Sequence, residues 1–156
     1  MKSSRPRAPA VPDLATIVSD VLGDLAFLVG DQERSLPPPG AVWMECRIAY
    51  SGPCSGTLRC WCTRDFAVQL AANLLGVEPD DPAVQGGLED ALGEFMNVVC
   101  GQLVTAWHGE DAVFNLSIPT AVVCREPPRF DPDPAEGVCA LSVGGAPFYC
   151  AHEAGP

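Results

Sequence analysis

Glu94 and Asn97, a carboxylate and an amide three residues apart, are the pair in this chain best suited to chemistry. With Asp90 and Gly101 they fall at i, i+4, i+7 and i+11, which puts all four on one stripe of a helix. An amide donates and accepts hydrogen bonds without changing protonation, so it can hold a water molecule in a fixed direction. A carboxylate makes a charge-assisted contact to a cation on a partner. Positioning of this kind needs a rigid support, because a misplacement of about 1 Å can cost roughly a hundredfold in rate. The same spacing also suits an ordinary solvated helix face, and Asp90 alone could be a first-turn acid favoured by the helix dipole. Gly101 in a helix interior costs about 1 kcal/mol relative to alanine. Close approach of a partner backbone would justify that cost, and so would close helix packing.

The support runs from Leu88 to His108, the longest uninterrupted helical pattern in the chain. Leu88, Ala91, Leu92, Phe95, Val98, Val99, Leu103 and Ala106 recur at helical intervals and predict a broad apolar face. Gly86 and Gly87 precede the pattern, and Gly109 is placed to stop it. Earlier in the chain, Asp13 can cap a helix to about residue 29, with Leu14, Ile17, Val18, Val21, Leu22, Leu25 and Leu28 facing inward and Gly30 ending it. From 41 to 50 and from 57 to 62 the period changes to two around a turn at 51–56, which predicts a β-hairpin. Thr63 caps a further helix over 64–75, closed by Gly76, and 77–87 reads as an acidic loop. Strands are expected at 112–117 and 120–125, broken by Pro119, and again at 138–143 and 147–151 after a proline-rich acidic loop at 126–137. The sum is an α+β fold, a mostly antiparallel sheet with two long helices on one face.

At 156 residues the chain reads as one domain over 13–152, after a disordered tail over 1–12 that carries Lys2, Arg5 and Arg7. A further connector, extended and proline-rich, spans 31–40. Net charge is −11, which disfavours nucleic acid and anionic membrane surfaces as partners. The apolar stretch after the basic N-terminus is interrupted by Asp20, Gly23 and Asp24, so neither a signal peptide nor a membrane span is expected, and the chain reads as cytoplasmic. The eight cysteines mostly sit inside apolar strand or helix patterns, where free Cys acts as a small hydrophobe. Cys60 and Cys62 share a strand face, and His108 and His152 exist, but no C-x-x-C pair supports a zinc site. Cys100, one turn past Asn97, reads as a packed helix cysteine before a redox handle.

Taken in order, four segments resemble the CheX branch of the CheC/CheX/FliY chemotaxis phosphatases. They are residues 48–58 of the hairpin, the FAVQLAANLLG helix at 66–76, the DALGEFMN segment at 90–97 and Ile118-Pro119-Thr120. The carrying pattern is Asp/Ser-x-x-x-Glu-x-x-Asn, here Asp90, Glu94 and Asn97, with a proline downstream, here Pro119. The resemblance implies a CheC-like fold with a pseudo-repeat of helix plus strands. It also implies dephosphorylation of a CheY-like response regulator. Asn97 would orient the attacking water at the aspartyl-phosphate, and Glu94 would pair with a lysine of the regulator. Members of the CheC type carry the motif twice. In the first helix here the echo reads Asp20-Val-Leu-Gly-Asp24-Leu-Ala-Phe27, with phenylalanine where the amide should be, so that helix is expected to be silent.

The partner implied is thus a phosphorylated CheY-like regulator, with Mg held by the regulator and no cofactor of this chain's own. The resemblance also admits a homodimer through sheet edges. The competing reading is a non-catalytic module of the same fold, binding a phosphorylated regulator or sitting in a flagellar-switch-like assembly.

Overall fold

A computed structural model of the chain describes residues 11–31, 39–124 and 137–156. Most of the expected tail (1–10), connector (32–38) and proline-rich loop (126–136) lies outside the described residues.

Asp13 does cap the first helix, α1 (Leu14–Ala26), its Oδ1 accepting from the Thr16 N–H at 2.8 Å. That contact holds the Asp13 carboxyl below its usual range. The helix ends three residues short of the expected boundary. Phe27 adopts a left-handed conformation at φ 56°, and the Leu28 N–H turns back to the Leu22 carbonyl at 3.0 Å. The Asn73 amide donates to the Ala26 carbonyl at 2.8 Å, satisfying one of the groups a helix end leaves free. Gly30, expected to stop the helix, instead opens β1 (Gly30–Asp31).

The hairpin consists of β2 (Trp43–Ser51) and β3 (Gly56–Thr63), in register with Cys46 opposite Cys60. Met44, Cys46, Ile48, Tyr50, Leu58, Cys60 and Cys62 all point into the core as the alternation predicts. Trp43, which alternation places on the other face, is nonetheless buried, its ring 5.9 Å from Tyr149 and nearly parallel to it. Val42, by contrast, is exposed. Helix α2 (Arg64–Leu75) has the expected bounds, with Thr63 Oγ1 accepting from the Phe66 N–H and Gly76 closing it at φ 69°. The acidic loop contains one turn of helix, α3 (Pro82–Gln85), which the sequence reading lacks. Its signals are Asp81 as cap and Pro82 in the first turn.

Helix α4 (Leu88–His108) is followed by β4 (Asn115–Leu116), β5 (Thr120–Cys124), β6 (Val138–Val143) and β7 (Ala146–Ala154). The strand expected at 112–117 is therefore only two residues long. The sheet runs β1-β6-β7-β3-β2, with β4 and β5 both paired to β2, and every pairing is antiparallel. Residues of α1, α2 and α4 join the inward strand residues in one core. The expected α+β architecture is thus observed, with the three expected helices α1, α2 and α4 packed on the sheet. The expected repeat is visible too. The β2–β3 and β6–β7 hairpins meet at the sheet centre, where Cys60 faces Cys150, while β1 flanks β6 and β5 flanks β2.

Candidate active site

The site is built from one side of α4. Leu88, Ala91, Leu92, Phe95, Met96, Val99, Cys100, Leu103 and Val104 are buried, so the inward face is wider than the apolar pattern suggests. Ala106, expected inside, is exposed, and Val98 is half-buried. Burial of Cys100 pushes its thiol up to about 11, which suits the packed cysteine the sequence predicts. Phe95 meets Phe148 edge-on at 5.8 Å, and Phe66 lies 5.0 Å from the same ring. These contacts fix the backbone between Glu94 and Asn97.

On the opposite side, Asp90, Glu94 and Asn97 are all exposed, and Gly101 continues the row half-buried. Helical geometry separates Glu94 from Asn97 by about 4.5 Å along the axis and about 60° around it, so the two side chains can reach a single partner surface. At Gly101 an added Cβ would meet nothing within 4 Å. Close packing against the described residues therefore does not explain the glycine.

Pro119 sits directly behind the stripe. A Cβ placed on Gly93 would lie 3.5 Å from the Pro119 Cβ, so the proline rests on the turn that carries Glu94. The segment is pinned from below, where the Ser117 N–H donates to the Ala49 carbonyl at 2.8 Å and Ser117 Oγ accepts from the Ala49 N–H at 2.9 Å. Ile118, between these anchors, is 88% exposed. The sequence marks Pro119 as a strand break and as part of the family pattern; its contact with Gly93 and the bare Ile118 beside it are seen only in the fold. A glycine inside a strong helical pattern was the available signal for the first.

The echo in α1 is dismantled in two ways. Phe27 has no amide, and it stands past the helix end in a left-handed turn, 83% exposed. Cys60, Cys62 and Cys150, buried at the sheet centre, are all pushed up by their surroundings, with burial the leading cause for Cys62 and Cys150 and the Cys46 contact for Cys60. Among the described residues no three His, Cys, Asp or Glu side chains are grouped to hold a metal ion. No helix among them is long and apolar enough to cross a membrane.

In fold, the chain is similar to the chemotaxis protein CheX of Desulfovibrio desulfuricans (15% identity, 91% of this chain and 96% of that one, TM-score 0.66). It is similar in the same way to a chain of the CheX–CheY–BeF3–Mg complex of Borrelia burgdorferi (17%, 94% and 100%, TM-score 0.67) and to CheX of Vibrio vulnificus (20%, 96% and 100%, TM-score 0.63). Among curated proteins none matches the chain in sequence. A family profile described as chemotaxis phosphatase CheX matches residues 44–131, a span containing Asp90, Glu94, Asn97 and Pro119. With more than half of its length matched, and with the fold and helix stripe that the resemblance implies, the chain belongs to the CheX family of chemotaxis phosphatases.

Proposed function

We propose that this chain removes the phosphoryl group from the aspartyl-phosphate of a CheY-like response regulator, with Asn97 orienting the attacking water and Glu94 pairing with a lysine of the regulator. One observation carries the reading: an exposed acid–amide pair stands on a helix whose opposite face is locked into the core, inside the span matched by the phosphatase family. The Borrelia burgdorferi CheX, similar in fold, is seen together with CheY, BeF3 and Mg.

The chemistry asks little of the helper. Water attacks phosphorus, the P–O bond to the regulator's aspartate breaks, and the departing group is a carboxylate that needs no proton to leave. Little covalent work remains, so positioning dominates the rate. Asn97 accepts a hydrogen bond from the water through its carbonyl oxygen and so aims a lone pair of that water at phosphorus, the water's protons staying with the phosphate product. Glu94 fixes the orientation of the docked partner through a charge-assisted contact. Asp90 extends the acidic row, and Gly101 clears room for the partner's backbone. The metal remains with the regulator, and α1 contributes no second site.

The lifetime of a phosphorylated CheY-like regulator, with and without the chain, tests this. The chain should shorten it, and Glu94→Gln should raise the concentration needed for half the maximal effect roughly tenfold, the loss of one charge-assisted contact. A chain that binds the phosphorylated regulator and leaves its lifetime unchanged is a binding module, and the proposal fails.

A further inference from the structure

The sheet has a second face, turned away from α1, α2 and α4, and the fold gathers positive charge there. Cys46, Ile48, Leu58 and Cys60 point into the core, so alternation puts Arg47 and Arg59 on the opposite face. The β2–β3 register sets the two arginines directly opposite each other. Side chains so placed stand about 4.5–5.5 Å apart at Cβ, and like charges in that relation destabilise a sheet. Among the described residues the remaining Lys or Arg is Arg64, in a chain of net charge −11. Two of three described cations therefore stand side by side in a strongly acidic molecule.

Their partners across the neighbouring strands do not neutralise them. Thr120 of β5 lies opposite Arg47, and Ala151 of β7 lies opposite Arg59. Glu45 and Glu153 stand one row away on either side, diagonal to Arg59. Even so, Arg59 Nε is buried with no hydrogen-bond partner. A buried donor left unpaired carries the full cost of its lost hydration, and a charged one carries more. The half-buried Trp61 and Tyr149 fill the next row on β3 and β7 and border the pair on that side. Arg47, by contrast, is exposed, so the pair is open to solvent on its outer side.

We propose that Arg47 and Arg59 form a binding site for a doubly charged oxyanion, inorganic phosphate or a phosphate monoester. Two guanidinium forks on adjacent strands present donors to several oxygens of one tetrahedral anion. The two charges of the anion offset the repulsion between the arginines. The site lies across the sheet from α4, so it does not rest on the phosphatase reading.

The test follows the thermal midpoint and tryptophan fluorescence of the full chain at pH 8, where a phosphomonoester carries close to two charges. Inorganic phosphate and phenyl phosphate are titrated separately against chloride at matched ionic strength. Wild type should gain stability with either phosphate and not with chloride. Arg47→Gln, an exposed change, should be at least as stable as wild type in chloride, because one of two like charges is gone. In phosphate the order should reverse, with the variant binding at least about tenfold more weakly. Tighter binding of phenyl phosphate would assign the site to an ester, and equal binding would assign it to free phosphate. A wild-type response no larger than that to chloride, or an equal response in Arg47→Gln, would overturn the proposal.

Discussion

Asn97 and Gly101 stand one turn apart on the solvent side of α4, and substitutions there separate stability from function. With nothing within 4 Å of an added Cβ, Gly101→Ala should gain helix propensity of about 1 kcal/mol, read as a higher midpoint in denaturant. In the same variant, dephosphorylation of the regulator should slow, because the methyl enters space the partner's backbone needs. A variant that is more stable and equally fast would leave Gly101 with no part in docking. The stripe itself was legible in the sequence, since i, i+4, i+7, i+11 spacing translates directly into one helix face. The contact of Pro119 with Gly93 was not, because it joins residues from two elements and no periodicity encodes their distance.

Among the elements, α1 carries an echo of the α4 motif and ends differently. α4 continues three turns past Asn97, whereas α1 stops one residue before the equivalent Phe27. Phe27 pays for that stop with a left-handed backbone that costs a non-glycine residue roughly 1–2 kcal/mol, while its ring stays 83% exposed. Phe27→Gly should therefore stabilise the fold by about 0.5–1 kcal/mol, after the greater freedom of glycine in the unfolded chain is subtracted. Destabilisation on chemical unfolding would show that the ring makes contacts of real value. The sequence located α2 to the residue, because Thr63 and Gly76 are strong caps. It overran α1 because it waited for Gly30, and nothing in the composition announces that phenylalanine will take the left-handed position. The two-residue β4 and the single turn of α3 were missed or misjudged for a related reason: elements that short are held by their neighbours and carry little pattern of their own.

For the whole molecule, charge and burial set the response to pH. Lys and Arg among the described residues are confined to Arg47, Arg59 and Arg64, so the folded body is strongly acidic. His152, on β7, has its imidazole held below the usual 6.5 by burial and by the neighbouring His108, and its Nε2 lies 2.8 Å from the Tyr50 hydroxyl. The folded state thus keeps His152 neutral while the unfolded chain takes up a proton near pH 6.5. The resulting stability is fully present above that pH and is lost as pH falls below it. Unfolding free energies measured from pH 7 to pH 5 should fall more steeply for wild type than for His152→Gln; parallel curves would contradict the linkage. The overall α+β order was legible from alternating periods and the helix-plus-hairpin repeat from the family resemblance and the motif echo in the first helix, while the burial of Trp43 was not, since alternation assigns a face without saying what covers it. In the proposed function this architecture holds two side chains at the surface, and the most direct measurement is the decay of a phosphorylated CheY-like regulator in the presence of Asn97→Ala. The exposed position makes the variant fold like wild type, and without the amide the acceleration should drop at least about a hundredfold while binding of the regulator persists. Decay as fast as with wild type would contradict the assignment of Asn97 as the group that positions the water.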